Sequence, residues 1–292
     1  MARTENGSNF HVINLIIRRD NDNEDLTTEE YATIFRNFYL ANVTGKSSRE
    51  KECILITNAQ YEINNIPNSV QYGRFVEYTN IDKRGWFDII KKELDESFRI
   101  PDNLRANSIQ GTYFFLAEKH RFCYTFTSKE NIHPKNAESY LRNAFEKFLT
   151  AEYNDEYYLE INFEKERETI QEILDAKEIY SLTVDVSYSN SGIGFGSEAL
   201  AFVDGDMRKG NIDSLHIEAK NKNGETIDLG KSTVLRGALE SSASNGNATA
   251  VIKDGRKKKT IKTSDHPAKY KTTFEGRYEF INQVYSFFIN LF

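Results

Sequence analysis

The chain has 292 residues, of which 39% are hydrophobic and 28% charged, and its formal net charge at pH 7 is −6. This composition is typical of a folded globular protein and excludes a disordered chain. The only cysteines, Cys53 and Cys123, exclude a disulfide framework and a zinc knuckle. The first ten residues carry no apolar signal region and no run reaches the length of a membrane span, so we expect a cytoplasmic protein without membrane insertion.

The charge is distributed unevenly along the chain. Residues 231–292 contain eleven Lys and Arg against five Asp and Glu, which gives this segment a charge of +6. Because the whole chain carries −6, residues 1–230 carry −12. This asymmetry predicts a basic working surface on an acidic body.

The first hundred residues alternate between predicted strands and helices. HVINLIIRR (11–19) reads as a strand, and Thr27-x-x-Glu30 is a capping-box pattern that predicts the start of a helix. Residues 53–57 and 72–79 are further apolar strands. A stripe of large apolar side chains at helical spacing then predicts a second helix, closed by a proline: Trp86, Phe87, Ile90, Leu94, Phe98 and Pro101.

The segment up to the middle of the chain has a clear hairpin and helix pattern. GTYFFLA and RFCYTFT (111–127) predict a β-hairpin, a helix begins near Pro134, and YYLEINF (157–163) alternates as a strand. EKERETIQEILDAKE (164–178) reads as a charged helical connector. We place a domain boundary in it, near residue 175.

The second half begins with another alternating strand, YSLTVDVSY (180–188). SNSGIGFGS (189–197) resembles a phosphate-binding loop only superficially and is interpreted as a connector. A short helix and the strand SLHIEAK (214–220) follow, and Asn223-Gly224 predicts a two-residue hairpin. ESSASNGNAT (240–249), after a further short helix, is predicted to be the most flexible stretch.

These elements predict an α+β fold with mostly antiparallel sheets in two lobes, flanked by helices. The expected domains are an acidic N-terminal domain (1–175) and a C-terminal domain (176–292). The second carries a basic hairpin and a terminal amphipathic helix over residues 280–292. We expect that helix to be buried in the core or across a homodimer interface.

The segment DGRKKKTIKT (254–263) is the main candidate site. A ribbon turned at Asp254-Gly255 would place Lys258 and Lys262 on one face and Lys257 and Lys259 on the other. Lysines suit phosphate contacts better than base edges. The residues expected to contact DNA are Lys253, Arg256, Lys257, Lys258, Lys259, Lys262, Lys269, Lys271 and Arg277.

If about five of these cations displace counterions, log K should fall with log salt at a slope of roughly −4 to −5. Two other interpretations remain open. Lysines on an edge strand can serve only to prevent aggregation, or the cations can meet a protein or an anionic lipid.

An enzymatic alternative depends on Glu218-Ala219-Lys220, which has the spacing of an E-x-K metal-dependent nuclease site. A second carboxylate for Mg²⁺ would come from Asp185, or from Asp204, Asp206 or Asp213, which lie closer in sequence. A solvated strand face explains the same pattern. The five histidines show no metal-ligand spacing and no nucleophile elbow is present, so we expect no catalytic residue, no metal and no cofactor.

The run IEAKNKNGETIDL (217–229) resembles the corresponding strand–turn–strand of the RexA-like phage-exclusion family. The order of elements is also similar to that family and to the KwaB-type subunits of bacterial anti-phage defence. The resemblance implies a cytoplasmic, non-enzymatic protein that binds DNA with little sequence preference, forms homodimers and signals to an effector partner. It supplies no catalytic residue.

The sequence therefore supports three hypotheses. The first is a DNA-binding sensor or regulatory subunit of a defence or prophage exclusion system, acting through abortive infection. The second is a nuclease that uses Glu218 and Lys220. The third is a protein-only adaptor whose acidic surface meets a basic partner.

Overall fold

The computed structural model describes residues 5–19, 26–63, 65–80, 86–95, 100–154, 156–187, 198–210, 212–222, 225–275 and 280–292. Over these residues the fold is α+β, as predicted. The strands are β1 (Glu5–Arg19), β2 (Gly45–Lys46), β3 (Lys51–Ile63), β4 (Ile66–Thr79), β5 (Trp86–Asp88), β6 (Glu93–Asp95), β7 (Ala106–Leu116), β8 (Arg121–Phe126), β9 (Tyr157–Phe163), β10 (Ile179–Ser187), β11 (Ser214–Lys220), β12 (Gly246–Asp254), β13 (Lys257–Lys262) and β14 (Tyr270–Glu275). The helices are α1 (Thr28–Leu40), α2 (Pro134–Tyr153), α3 (Arg167–Leu174), α4 (Glu198–Lys209), α5 (Thr233–Asn245) and α6 (Phe280–Leu291).

The first sheet is antiparallel and has the strand order β14-β1-β8-β7-β4-β3-β2, with β9 also paired to β1. Helices α1 and α2 pack on one face and bury a core rich in aromatic rings. Phe35 of α1 stacks on Phe115 with ring centroids 4.1 Å apart, and Phe38 stacks on Phe145 of α2 at 3.9 Å. Such pairs stabilise the core beyond the burial of their area.

The opposite face of the first sheet is covered in part by α6. Val284 and Phe288 of this helix are fully buried against Phe10 and Phe114, which confirms the predicted apolar side of the C-terminal helix. Within the described residues, no helix combines the length and the apolar composition needed to cross a bilayer.

The second sheet is antiparallel with the order β11-β10-β12-β13. Helix α5 packs on β10 and β12, and α3 and α4 pack on α5, so one face of the sheet is buried. A Cβ built at Gly246 would lie 1.8 Å from the backbone oxygen of Asp185, so only glycine allows β12 to approach β10 this closely.

The chain passes between the sheets twice, and the packing does not follow the expected boundary near residue 175. Ile170 and Ile173 of α3, which precede that boundary, belong to the core of the second sheet. At the other end, β14 pairs with β1, and α6 packs on the first sheet. The second sheet is therefore an insertion between β9 and β14.

The seam between the two sheets is polar and buried. Arg121 Nε of β8 lies 3.3 Å from Glu164 Oε1, and its guanidinium also donates to Asn14. Ser244 Oγ, at the end of α5, donates to Glu164 Oε2 at 2.6 Å, and Asn14 Nδ2 donates to Asn245 Oδ1 at 2.7 Å. These contacts fix the second sheet against the first.

Several predicted elements are confirmed at the level of single side chains. Thr27 caps α1 with a reciprocal capping box to Glu30, so the helix starts where the sequence predicts. The hairpin of β7 and β8 turns at His120, and α2 begins at Pro134.

The helix predicted over Trp86–Phe98 is wrong. Residues 86–95 form the small hairpin β5–β6, and Phe98 lies outside the described residues. Asp88 Oδ1 accepts hydrogen bonds from the backbone N–H groups of Ile90 and Lys91, which turns the chain. A short side chain that bonds its own backbone competes with the helix in this way.

The flexible connector predicted at residues 240–249 is also wrong. Helix α5 continues to Asn245 and β12 starts at Gly246, with Ser242 and Ser244 buried. Ser242 Oγ donates to the backbone oxygen of Leu239 at 2.7 Å, so the hydroxyl is satisfied inside the helix. Small polar residues therefore mark close packing here rather than mobility.

Two other turn predictions fall wholly or partly outside the described residues. The Gly192–Gly196 loop and the Asn223-Gly224 turn lie there. Residues 225–228, which the hairpin prediction required to be a strand, are irregular.

Candidate nucleic-acid interface

Strands β12 and β13 form the predicted lysine ribbon. Asp254 pairs with Lys257 across the turn, and Gly255 adopts φ +59°, the left-handed conformation that glycine favours. Ile261 is 2% exposed, so alternation turns Lys257 and Lys259 toward the side of the core and Lys258 and Lys262 away from it. The lysines thus divide between the two faces as the sequence predicts.

Three of the nine predicted DNA-contacting residues lie next to carboxylates of the protein itself. Lys253 Nζ lies 2.5 Å from Glu178, Lys259 Nζ lies 2.5 Å from Glu172, and Lys269 Nζ lies 3.8 Å from Glu166.

Hydrogen bonds to these carboxylates raise the pKa of the lysines on the ribbon. The bond to Glu178 raises the pKa of Lys253, and the bond to Glu172 raises the pKa of Lys259. Lysines held in this way are poor contacts for an external polyanion, because a phosphate would have to displace the bound carboxylate.

Four other cations of the ribbon have no carboxylate within 4.0 Å in the part of the chain that the structure describes. Arg256, Lys257 and Lys262 are exposed. Lys258 is also exposed, and its ammonium lies 4.3 Å from the centroid of the Tyr180 ring, a cation–π contact. We call Arg256, Lys257, Lys258 and Lys262 the ribbon cations.

The last two predicted contacts are not on this ribbon. Lys271 lies on β14 of the first sheet, opposite Asn9. Arg277 lies outside the described residues. The eight of the nine predicted residues that the structure describes therefore do not form a single cationic surface, and the ribbon cations remain as the candidate interface.

The face of the second sheet that points away from α5 is polar and open to solvent. Strand pairing places side chains of all four strands in rows on this outer face. One row consists of Glu218, Thr183, Thr249 and Lys262, and the next consists of Lys220, Ser181, Val251 and Thr260.

The candidate nuclease residues share the outer face but are engaged in separate pairwise contacts. Lys220 Nζ lies 2.6 Å from Glu218 Oε1, and this contact lowers the pKa of Glu218. Asp185 Oδ1 lies 2.6 Å from His216 Nδ1 on the neighbouring strand. Among the described residues, no group of three side chains could hold a metal ion.

Sequence reasoning missed the three glutamates that neutralise the lysines and the tyrosine beneath Lys258. Glu166, Glu172 and Glu178 all come from the charged connector, interpreted only as a link between domains. An acidic connector in a chain with a basic ribbon was a signal of charge pairing, but the fold decides which residues meet.

The fold and this surface define an α+β protein with a cationic ribbon at the edge of an open polar sheet. The chain belongs to the family described as Domain of unknown function (DUF4747), whose model matches residues 8–279. No curated protein matches the chain.

Proposed function

We propose that the protein binds nucleic acid, with duplex DNA as the main ligand, through the phosphate contacts of the four ribbon cations. One observation carries the proposal: these cations are exposed and none has a carboxylate within 4.0 Å among the described residues, although the chain is acidic overall. Binding through phosphates has little sequence preference, because phosphates carry no sequence information directly.

The number of these cations sets the strength and salt dependence of binding. Each phosphate neutralised on B-form DNA contributes about −0.9 to the slope of log K against log salt, so four contacts give about −3.6. This salt dependence is weaker than the slope of roughly −4 to −5 expected for about five contacts. The acidic remainder of the chain would repel DNA and so limit contact to the ribbon.

The resemblance to the RexA-like family extends the proposal to a biological role. The protein would act in the cytoplasm as a non-enzymatic sensor or regulatory subunit of an anti-phage defence or prophage exclusion system. It would act as a homodimer that signals to an effector protein when it meets DNA.

A metal-dependent nuclease is the second candidate, because Asp185, Glu218 and Lys220 do share the outer face of one sheet. Plasmid DNA incubated with the protein and Mg²⁺ or Mn²⁺ tests it, with Glu218→Ala as the control. Cleavage that this substitution abolishes would establish the nuclease. An intact plasmid would exclude it.

Binding to two labelled duplexes of unrelated sequence tests the first proposal. We expect equal affinities for the two duplexes at low salt, and at least a hundredfold loss when all four ribbon cations are changed to Gln. Circular dichroism checks that this variant is folded. Undiminished binding by the folded variant, or no binding by the natural protein, would refute the proposal, and the second result would favour a protein-only adaptor.

A further inference from the structure

The outer face of the second sheet has the shape of a shallow trough. The middle of its floor consists of short side chains: Ser181 and Thr183 on β10, and Thr249 and Val251 on β12. These side chains are half-buried, whereas the longer side chains on the two outer strands are exposed. The end next to Lys258 is bounded by Tyr180 and by Lys253, which is held by Glu178. Because neighbouring strands lie about 4.8 Å apart, the rims on β11 and β13 are about 14 Å from each other.

The two rims differ in charge. On β13, Lys258 and Lys262 are cations without a carboxylate partner within the described residues. On β11, each basic side chain is matched by an acid: His216 by Asp185, and Lys220 by Glu218. One rim therefore attracts phosphate, while the other offers both hydrogen-bond donors and acceptors without a net charge to attract an anion.

A single strand of nucleic acid has the same asymmetry. Its phosphates lie along one side, and its bases present donors and acceptors on the other. A duplex instead exposes phosphates along both of its edges. One edge of a duplex laid across the trough would then meet the β11 rim, where among the described residues no basic side chain lacks an acidic partner and no cation remains to bind its phosphates.

We propose that the trough binds a single strand of nucleic acid, with its phosphates against Lys258 and Lys262 and its bases toward His216 and Glu218. The hydroxyl groups of Thr183 and Thr249, which lie directly between the rims, donate to phosphate oxygens. Glu218 can accept a hydrogen bond from a base amino group such as that of cytosine. This inference rests on the proposed function in taking nucleic acid as the ligand, and it adds a second mode of binding that shares Lys258 and Lys262 with the duplex mode.

The test compares the affinities for a labelled oligodeoxycytidylate and for a mixed-sequence duplex, measured by fluorescence anisotropy. Thr183→Glu adds a carboxylate to the floor beside Glu218 of the rim, and we expect its repulsion of phosphate to lower single-strand affinity about tenfold or more while duplex affinity changes less than about twofold. Thr273→Glu, on an exposed position of β14, is the matched control and should alter neither affinity. Thr183→Val combined with Thr249→Val serves if the glutamate disturbs folding, because valine has the same shape and favours strands.

The outcomes separate this inference from the proposed function. If the Thr183 variants leave single-strand affinity unchanged while Arg256→Gln with Lys257→Gln weakens duplex binding, the trough inference fails and the proposed function stands. If the natural protein binds the single strand through Thr183 but does not bind the duplex, the duplex proposal fails and the trough inference stands. Absence of binding to either ligand overturns both.

Discussion

The difference between paired and unpaired lysines on one ribbon gives the sharpest prediction. Two double variants each remove two positive charges from β12 and β13 and the turn that joins them. Arg256→Gln with Lys257→Gln removes cations that have no carboxylate partner within the described residues. Lys253→Gln with Lys259→Gln removes cations held by Glu178 and Glu172 at 2.5 Å. Because the change in net charge is the same, only the availability of the cations differs.

The expected magnitudes follow from counterion release. With four contacts, a slope of about −3.6 predicts that duplex affinity falls about 150-fold between 50 mM and 200 mM salt. The variant without Arg256 and Lys257 keeps two contacts, so the slope becomes about −1.8 and the loss about 12-fold. The variant without Lys253 and Lys259 should retain the slope of the natural protein.

Fluorescence anisotropy titrations of one duplex at several salt concentrations measure all three slopes. The reasoning fails if both double variants change the slope equally, because the carboxylate pairs would then have no effect on DNA contacts. It also fails if only the Lys253 and Lys259 variant changes the slope. Thermal unfolding of both variants checks that the ribbon is still folded.

Two predictions concern stability. Gly246→Ala places a Cβ 1.8 Å from the backbone oxygen of Asp185, so it should lower the free energy of unfolding, measured with urea, by about 3 kcal/mol or more. Gly255→Ala, at the open turn, is the control and should lower it by about 1 kcal/mol. Similar losses for both variants would contradict the close approach of β12 to β10. Burial lowers the pKa of His11 from 6.5 to about 4, so the unfolded chain binds a proton at His11 more readily than the folded chain does. The stability of the folded protein should therefore fall as pH is lowered from about 6.5 to about 4. The loss should reach about 3 kcal/mol, and His11→Gln should flatten the decline in stability over that range; an unchanged pH profile would refute this role.

The first lobe was largely predictable because its signals are local. The capping box of Thr27 and Glu30, the hairpin at His120 and the apolar stripe of α6 each depend on residues within about two turns or one strand pair. The spacing of apolar residues and the capping pattern reveal such short-range contacts in the sequence itself. The α+β class followed from them.

The helix predicted over residues 86–98 failed because of the local hydrogen bonds of Asp88. Two other failures share a different cause, since each depends on contacts that are distant in sequence. The serines of α5 were predicted to belong to a flexible stretch. They are buried instead, and Ser244 donates a hydrogen bond to Glu164, 80 positions earlier in the chain. All the lysines of the ribbon were predicted to be available for DNA contact, but Lys259 donates a hydrogen bond to Glu172, 87 positions earlier in the chain. No local pattern records such a pairing, so the number of cations open to a ligand required the fold.

The pairing of β1 with β14 has a consequence for how the chain reaches its fold. Asn9 lies opposite Lys271, so one edge of the first sheet is built from segments separated by almost the entire chain. During synthesis β1 therefore waits for its neighbour until the whole inserted sheet has emerged from the ribosome. Native pairings this remote close slowly, and meanwhile the exposed edge of β1 is open to pairing with other chains. A chain that ended after β13 would keep the ribbon, but β1 would lack the partner strand β14 at its edge.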